Sequence, residues 1–394
     1  MTGGASPRPE LSRLRAEYGA FLSAAEGRIL LTGHSHQAWP DAARDALCQS
    51  FDDAARFADD KWQRAVFPLM ERVGRRVLGR LGFSGDDPIT FGKSTHELVY
   101  RLLSALPADA RVVTTTSEFH SLHRQLGRLA EDGLRVCWVE GAPRASLPDR
   151  LIAQIAEGAE LVALSAVFFE DAYVLPRLGD IARAAREAGA ILLVDAYHAF
   201  NVVPLELDDD VYLVAGGYKY GQLGEGVCFL RSPRGASLRP RYTGWFADFG
   251  SLEAPRGAAA SRPPTSYGAG GARFAGATFD PASFYRADAV LAVLDAHGLE
   301  VKTLRAISVA QTERIAAGLE RGGLQLLSSR DPARRGGFVS ALVTNAHEAA
   351  NRLRERGVFV DARGDALRLG PAPYLTDEEL DLGVAAVIDV VRAA

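Results

Sequence analysis

Two stretches decide how this chain reads: Ile191-Leu192-Leu193-Val194-Asp195-Ala196-Tyr197-His198 and, further on, Val211-Tyr212-Leu213-Val214-Ala215-Gly216-Gly217-Tyr218-Lys219. Each opens on an unbroken apolar run of four, too short for a buried helix. A continuous run, as opposed to an alternating one, is the mark of a strand covered on both faces, as in a parallel sheet between helices. Each run is followed by residues able to do chemistry: an acid at 195 and a lysine 24 positions later. In open α/β sheets ligands gather outside the carboxyl ends of the strands, so Asp195 and Lys219 are expected on one rim.

Outward from this pair the pattern repeats. Val112-Val113-Thr114-Thr115, Val136-Cys137-Trp138-Val139, Leu161-Val162-Ala163-Leu164 and Val227-Cys228-Phe229-Leu230 are further strand-like runs between about residues 85 and 232. They alternate with helical stretches such as Ile181-Ala182-Arg183-Ala184-Ala185-Arg186-Glu187-Ala188, stopped by Gly189. Alternation of this kind predicts an α/β fold with a mostly parallel sheet. Residues 250–277, rich in Gly, Pro and Ala, read as a long loop, either disordered or a cover for the site. Helical patterns at 284–297 and 301–321, the run Phe338–Val343, and a final helix from Asp377 predict a smaller α+β unit.

The chain's 394 residues are 47% hydrophobic and 24% charged, enough to bury a large core. No apolar run approaches the ~20 residues of a membrane helix. Met1-Thr2-Gly3-Gly4-Ala5-Ser6-Pro7-Arg8 lacks the apolar core of a signal peptide, so a cytoplasmic protein is the expectation. A formal net charge of −4 gives no electrostatic reason to expect nucleic acid or a membrane surface as partner. Small molecules and other proteins remain. Cys48, Cys137 and Cys228 form no Cys-x-x-Cys pair and are expected to be small buried hydrophobes.

Taken alone, a lysine on a strand rim is usually a solvated charge, and an aspartate there is as readily structural. Together they match what pyridoxal 5'-phosphate (PLP) needs: an amine to hold its aldehyde as a Schiff base, and a carboxylate to keep its ring nitrogen protonated. His198 follows Asp195 closely enough to meet the ring oxygen or the ring face.

Asp195-Ala196-Tyr197-His198-Ala199, Gly217-Tyr218-Lys219-Tyr220 and Gly224-Glu225-Gly226 resemble the Asp-x-x-His and Tyr-Lys-Tyr segments of the kynureninase branch of class V aminotransferase-fold enzymes, and the resemblance runs over most of the chain. It implies a large PLP-binding domain over residues 45–285, with a mostly parallel sheet of the seven-stranded type covered by helices. It further implies a small α+β domain over 286–394, with an N-terminal segment, 1–44, packed against it. Lys219 is then the catalytic residue, and Asp195, His198 and Tyr218 are cofactor contacts.

Other segments join by the same resemblance. Gly92-Lys93-Ser94-Thr95-His96 is similar to the family's phosphate-holding turn, with Ser94 and Thr95 at a helix N-terminus. An ordinary helix cap accounts equally for those hydroxyls. Phe119, in Ser117-Glu118-Phe119-His120-Ser121, matches the phenylalanine laid over the pyridine face; a core aromatic is the plainer meaning. Trp245, in Tyr242-Thr243-Gly244-Trp245-Phe246, and Thr278, in Ala277-Thr278-Phe279-Asp280-Pro281, stand in segments that reach the neighbouring subunit's phosphate in that family, which implies a homodimer with shared sites. Arg368, in Ala366-Leu367-Arg368-Leu369-Gly370-Pro371, matches the arginine that grips the substrate carboxylate, with Arg363 as a nearby decoy.

Departures concern the substrate. Where kynureninases have a Gly-Asn-Ser-Leu-Gly-like segment, this chain has Gly33-His34-Ser35-His36-Gln37, so His34 and Ser35 are the substrate-contact candidates. His34 and His36 alternate without further ligands and read as polar lining, with no metal site expected. After Phe119 the chain has His120-Ser121-Leu122 in place of the family's Pro-Ser/Thr-Asp. The reading that leads is a PLP-dependent hydrolase or lyase resembling kynureninase, acting on an amino acid by Cβ–Cγ cleavage or related β/γ-lyase chemistry. An aminotransferase or an epimerase is the alternative, and a non-catalytic binding protein that keeps the fold is a third. A persulfide-forming desulfurase needs a cysteine on a small-domain loop, and no cysteine follows Cys228.

Overall fold

A computed structural model describes residues 10–24, 27–251 and 264–393. Its frame is a seven-stranded sheet in the order Ile89–Gly92, Cys228–Arg231, Tyr212–Gly216, Ile191–Asp195, Leu161–Ser165, Arg111–Thr115, Arg135–Val139. The last five run parallel, and Cys228–Arg231 lies antiparallel to both its neighbours. Every residue of Leu161–Ser165 and of Tyr212–Gly216 is buried, which is why those stretches carry no polar alternation. The covering helices supply one apolar stripe each. In Leu178–Glu187 that stripe is Leu178, Ile181, Ala182 and Ala185, and Gly189 ends the turn at φ 69°.

The reversal of Cys228–Arg231 has a geometric consequence. Ile89–Gly92 now points the same way as the five parallel strands, so six carboxyl ends open on one rim. The amino end of Cys228–Arg231 joins them there.

The C-terminal part holds a three-stranded antiparallel sheet, Asp361–Arg363, Ala366–Leu369 and Val339–Leu342 in that order, packed with helices that include Ala346–Glu355 and Asp377–Arg392. The N-terminal segment binds to it: Ile29–Leu30 pairs in parallel with Val358–Phe359, and the Tyr18 ring lies 4.4 Å from that of Tyr374. The expected boundaries at 44/45 and 285/286 both fall inside helices, Ala42–Phe57 and Ala282–Ala296, which pack on each other.

Two expectations change. Cys48 is exposed on its helix and Cys137 is half-buried with its Sγ 2.9 Å from Gln154 Oε1, so only Cys228 is a buried hydrophobe. Of the loop expected over 250–277, residues 252–263 lie outside the described residues. Its end packs closely: Phe274 is buried, and a Cβ on Gly271 would come within 2.6 Å of the Ile89 carbonyl oxygen. Among the described residues no helix is long and apolar enough to cross a membrane.

Candidate active site

Lys219 lies three residues beyond the strand Tyr212–Gly216, and Asp195 ends the adjacent strand Ile191–Asp195. Parallel pairing therefore delivers both to the rim. Lys219 is buried, and its Nζ lies 2.7 Å from His198 Nε2 and 4.6 Å from the centre of the Tyr197 ring. Burial pulls this amine down to about 7, against the attraction of Asp195 and with help from the charges of Arg368 and Arg363. Asp195 is pushed up by the same burial, against a backbone hydrogen bond from Tyr197 and the charge of Lys219. His198 is held well below the ordinary imidazole range, first by burial and then by Lys219, His34 and Arg368. All three groups are driven towards their uncharged forms.

A cavity of about 250 Å³ opens on these groups. Lys219, Asp195, His198, Tyr218, Ser94, Thr95 and Phe119 all line it, so the fold brings together seven of the residues singled out in the sequence. The Tyr197 backbone N donates to Asp195 Oδ1 at 2.8 Å, turning the chain just past the strand. The Tyr197 ring then lies against the next strand, where Gly216 makes room: a Cβ there would come within 2.3 Å of the ring. Ser94 caps the helix Thr95–Leu103, accepting from the Glu97 backbone N at 3.2 Å, so the ordinary cap is present and the helix N-terminus faces the cavity. Phe119 is 41% exposed at the cavity mouth, edge-on to Phe169 at 5.5 Å; it is no core aromatic.

Arg368 and His34 lie on the small-domain side, near enough for charge to be felt between them and Lys219, but neither lines the cavity. Arg368 is buried and donates to the Phe169 carbonyl and, through Nη2, to Asp361 Oδ2. His34 is buried flat against Phe338, ring centres 4.6 Å apart, with Nε2 3.4 Å from Asp361 Oδ2. Burial lowers His34 to about 4, the contact with Asp361 opposing it. Arg363, half-exposed, also meets Asp361, Nη1 to Oδ1 at 3.2 Å. Burial works against the Asp361 charge, but His34 and the two guanidiniums hold it well below the usual carboxylate range.

The other candidates lie elsewhere. Ser35 does not line the cavity; its Oγ is 3.2 Å from His36 Nδ1, and it is His36 that stacks on Tyr218, ring centres 4.7 Å apart. His34 and His36 thus face different surroundings. Thr278 lines a second cavity of about 630 Å³, which adjoins the first at Lys93, Glu225 and Gly226. Trp245 is partly exposed with its ring against Phe246 and lines neither cavity.

Three residues were missed. Glu118 is buried beneath the rim, accepting from Thr115 Oγ1 at 2.7 Å and from Ser165 Oγ at 2.5 Å. Burial pushes its carboxyl up to about 7, those hydrogen bonds opposing it and Asp195 adding to it. An acid just past the apolar run 112–115 carries the same signal that marked Asp195. The second is Asp361, whose role rests on strand register. The third is His36, passed over as polar lining.

The likenesses to known proteins agree with this frame. Residues 304–387 match the kynureninase C-terminal domain family. An uncharacterized aminotransferase of Bacillus subtilis, YcbU, is 22% identical over 383 residues, covering 94% of this chain and 96% of that protein. Kynureninase of Salinispora tropica is 30% identical over 292 residues, covering 68% of this chain and 64% of that enzyme, a little under two thirds of its length. In structure, an apo cysteine desulfurase from Thermococcus onnurineus superposes with a TM-score of 0.79 at 18% identity, covering 99% of this chain and 100% of that one. A lysine-to-alanine variant of C-DES, with glycine covalently linked to its PLP cofactor, superposes with a TM-score of 0.81 at 18% identity, covering 95% and 99%. At that identity the structures speak for the fold alone.

Proposed function

We propose that this chain, as a kynureninase-like member of the class V aminotransferase superfamily, is a PLP-dependent enzyme that binds an amino acid and carries out Cβ–Cγ cleavage or related β/γ-lyase chemistry on it. The observation that carries the reading is the convergence of Lys219 and Asp195 in one buried cavity at the ends of adjacent strands, with the amine brought to about 7.

The residues present fit the cofactor. His198 Nδ1 is a buried polar atom without a hydrogen-bond partner among the described residues, beside an amine that burial has made nucleophilic and a helix N-terminus suited to an anion. Lys219 would hold PLP, Asp195 its ring nitrogen, Phe119 its ring face, and Ser94 with Thr95 its phosphate. His198 and Tyr218 would complete the contacts. Trp245 and Thr278 are proposed to act across a homodimer, since they lie outside the Lys219 cavity of their own chain.

When bound, PLP supplies an aldehyde that condenses with amines and a ring that draws electrons from the neighbouring carbon. The protein's part is positional and acid–base. Arg368 binds the substrate carboxylate and so sets which α-carbon bond faces Lys219. Lys219, whose burial favours the uncharged amine, takes the proton from that carbon, with His198 Nε2 2.7 Å from its Nζ. Phe119 and Phe169 narrow the mouth against bulk water.

The long match to an uncharacterized aminotransferase favours transamination as a second reading. One titration separates them. The protein loaded with PLP is mixed with single amino acids, kynurenine and 3-hydroxykynurenine among them, and followed by absorbance and product analysis. Release of a cleaved side chain supports the lyase or hydrolase reading. A stable change to the pyridoxamine spectrum on amino acid alone, reversed by a 2-oxo acid, overturns it. Absence of any borohydride-fixed cofactor on Lys219 overturns both.

A further inference from the structure

The strand register sets Asp361 directly opposite Arg368 in the antiparallel pair Asp361–Arg363 and Ala366–Leu369, on a hairpin that turns at Gly364 with φ 54°. The pairing of their side chains is therefore built into the fold. Arg368 donates one nitrogen to the Phe169 carbonyl and one to Asp361, while its Nε is buried without a partner among the described residues. The guanidinium that would hold a substrate carboxylate already carries a carboxylate of the chain's own.

Two guanidiniums, Arg368 and Arg363, share the single carboxylate of Asp361. The third neighbour, His34, is a buried imidazole at 3.4 Å from Asp361, a contact too long to satisfy its nitrogens, and both of them lack a hydrogen-bond partner among the described residues. Arg363 is half-exposed and its charge is met by water, whereas the buried Arg368 keeps an Nε unpartnered among the described residues, and an entering carboxylate is the acceptor that this nitrogen lacks. Asp361 also has alternative partners in place, since Arg363 approaches the oxygen that Arg368 does not use.

We propose that Asp361 is a specificity-determining residue: its carboxylate occupies the edge of Arg368 that a substrate carboxylate must take, and yields that edge by passing to Arg363 and His34 when a singly charged carboxylate ligand enters. The inference rests on the reading of Arg368 as the carboxylate-binding group and gives it a built-in competitor. Ligands lacking a carboxylate do not displace Asp361 and are refused. Arg363 is then no decoy, because it receives Asp361 and supplies the charge that balances the ligand.

Calorimetric titration of the cofactor-free and the PLP-loaded protein with propionate, and with propylamine as the carboxylate-free control, tests this. Removing the competing charge in Asp361→Asn should tighten propionate binding about tenfold, and Arg363→Gln should weaken it by about threefold or more, with propylamine unmoved in both. Propionate binding that is unchanged or weaker in Asp361→Asn overturns the proposal. Should that variant fail to fold, Arg363→Gln at the exposed rim decides, and unchanged affinity there overturns it equally. A chain that accepts PLP on Lys219 yet ignores both substitutions loses only this inference. A chain that takes no PLP loses the proposed activity, while the propionate result on cofactor-free protein still stands.

Discussion

His198 offers its Nε2 to the Nζ of Lys219 at 2.7 Å, and both groups are buried. An ammonium in that position would have lost most of its water and gained one imidazole nitrogen, so the uncharged amine is favoured. In the unfolded chain the amine keeps its proton up to about 10.5, whereas in the fold it loses it near 7. Between those values the folded chain binds one proton fewer, so the stability of the cofactor-free protein rises with pH across that window. Lys219→Met removes the burden. The variant should be more stable than the parent, by the most near pH 7 and below and by little as pH approaches 10.5, in urea melts run across that range. A constant difference at all pH values would show that the amine is not displaced from its ordinary range.

Glu118 presents the mirror case. Its carboxyl, buried under the rim between Thr115 and Ser165, is pushed up to about 7, while the unfolded chain releases the proton near 4.5. A raised carboxyl contributes stability that is complete below the unfolded value and is lost as pH rises through 7. Glu118→Gln keeps the shape and never ionises. It should match the parent at pH 4.5 and exceed it at pH 8 by roughly 2 to 3 kcal/mol. Equal stability of the two proteins at both pH values would place Glu118 in contact with water.

Much of this site could be read before the fold was seen, for a physical reason. A strand covered on both faces leaves a continuous apolar run, and a polar residue at its end has nowhere to go but the rim; Asp195 and Lys219 announce themselves in that way. Strand direction leaves no such trace. Val227-Cys228-Phe229-Leu230 is as apolar as its parallel neighbours, so the reversal that turns Ile89–Gly92 towards the site shows only in the hydrogen-bonding register. Arg368 was legible as a residue, whereas its engagement by Asp361 depends on which residues face each other across a hairpin. Ser35 and His36 stand on an irregular segment, where no periodicity tells which side chain meets Tyr218, and there it is the exposed His36 that stacks on its ring.

Gly216 matters for what it leaves out. A Cβ at this position would come within 2.3 Å of the Tyr197 ring, which in turn lies 4.6 Å from Lys219 Nζ. Gly216→Ala must therefore move a buried aromatic out of the cavity wall or shift the strand that leads to Lys219. The expected result is a destabilisation of about 1 to 3 kcal/mol, the usual cost of overpacking, and a loss of PLP affinity well beyond that of Gly79→Ala, an open helical position with nothing within 4 Å. Equilibrium dialysis against PLP reads the affinity. Wild-type affinity in Gly216→Ala would show that Tyr197 takes no part in shaping the cofactor's place.

At the opposite end of the sheet Arg231 and Asp87 form a buried pair, Nη2 to Oδ2 at 2.8 Å, with Arg234 on the other carboxylate oxygen at 2.7 Å. Arg231 also donates to the carbonyls of Asp209 and Val211 at 2.8 Å each and lies over the Phe83 ring at 4.1 Å. It thereby ties the edge of the sheet to the segment that leads into the strand bearing Lys219. Asp87→Ala would leave a fully buried guanidinium without its buried counter-charge, the other carboxylate in reach being the largely exposed Asp209 at 3.6 Å, at a cost of about 3 to 5 kcal/mol in urea unfolding. Burial alone would raise the Asp87 carboxyl, but its hydrogen bonds to Arg231 and Arg234 outweigh that and hold it below the usual range. The pair's contribution is therefore present above pH 3.8 and is lost as pH falls through the lower folded value. The double variant Asp87→Leu with Arg231→Met should regain much of the loss, since replacing both partners of a buried pair removes the uncompensated charge that replacing one creates. A double variant no more stable than Asp87→Ala would mean that the contacts of Arg231 to the backbone carbonyls, and not its charge pairing, hold this end of the sheet.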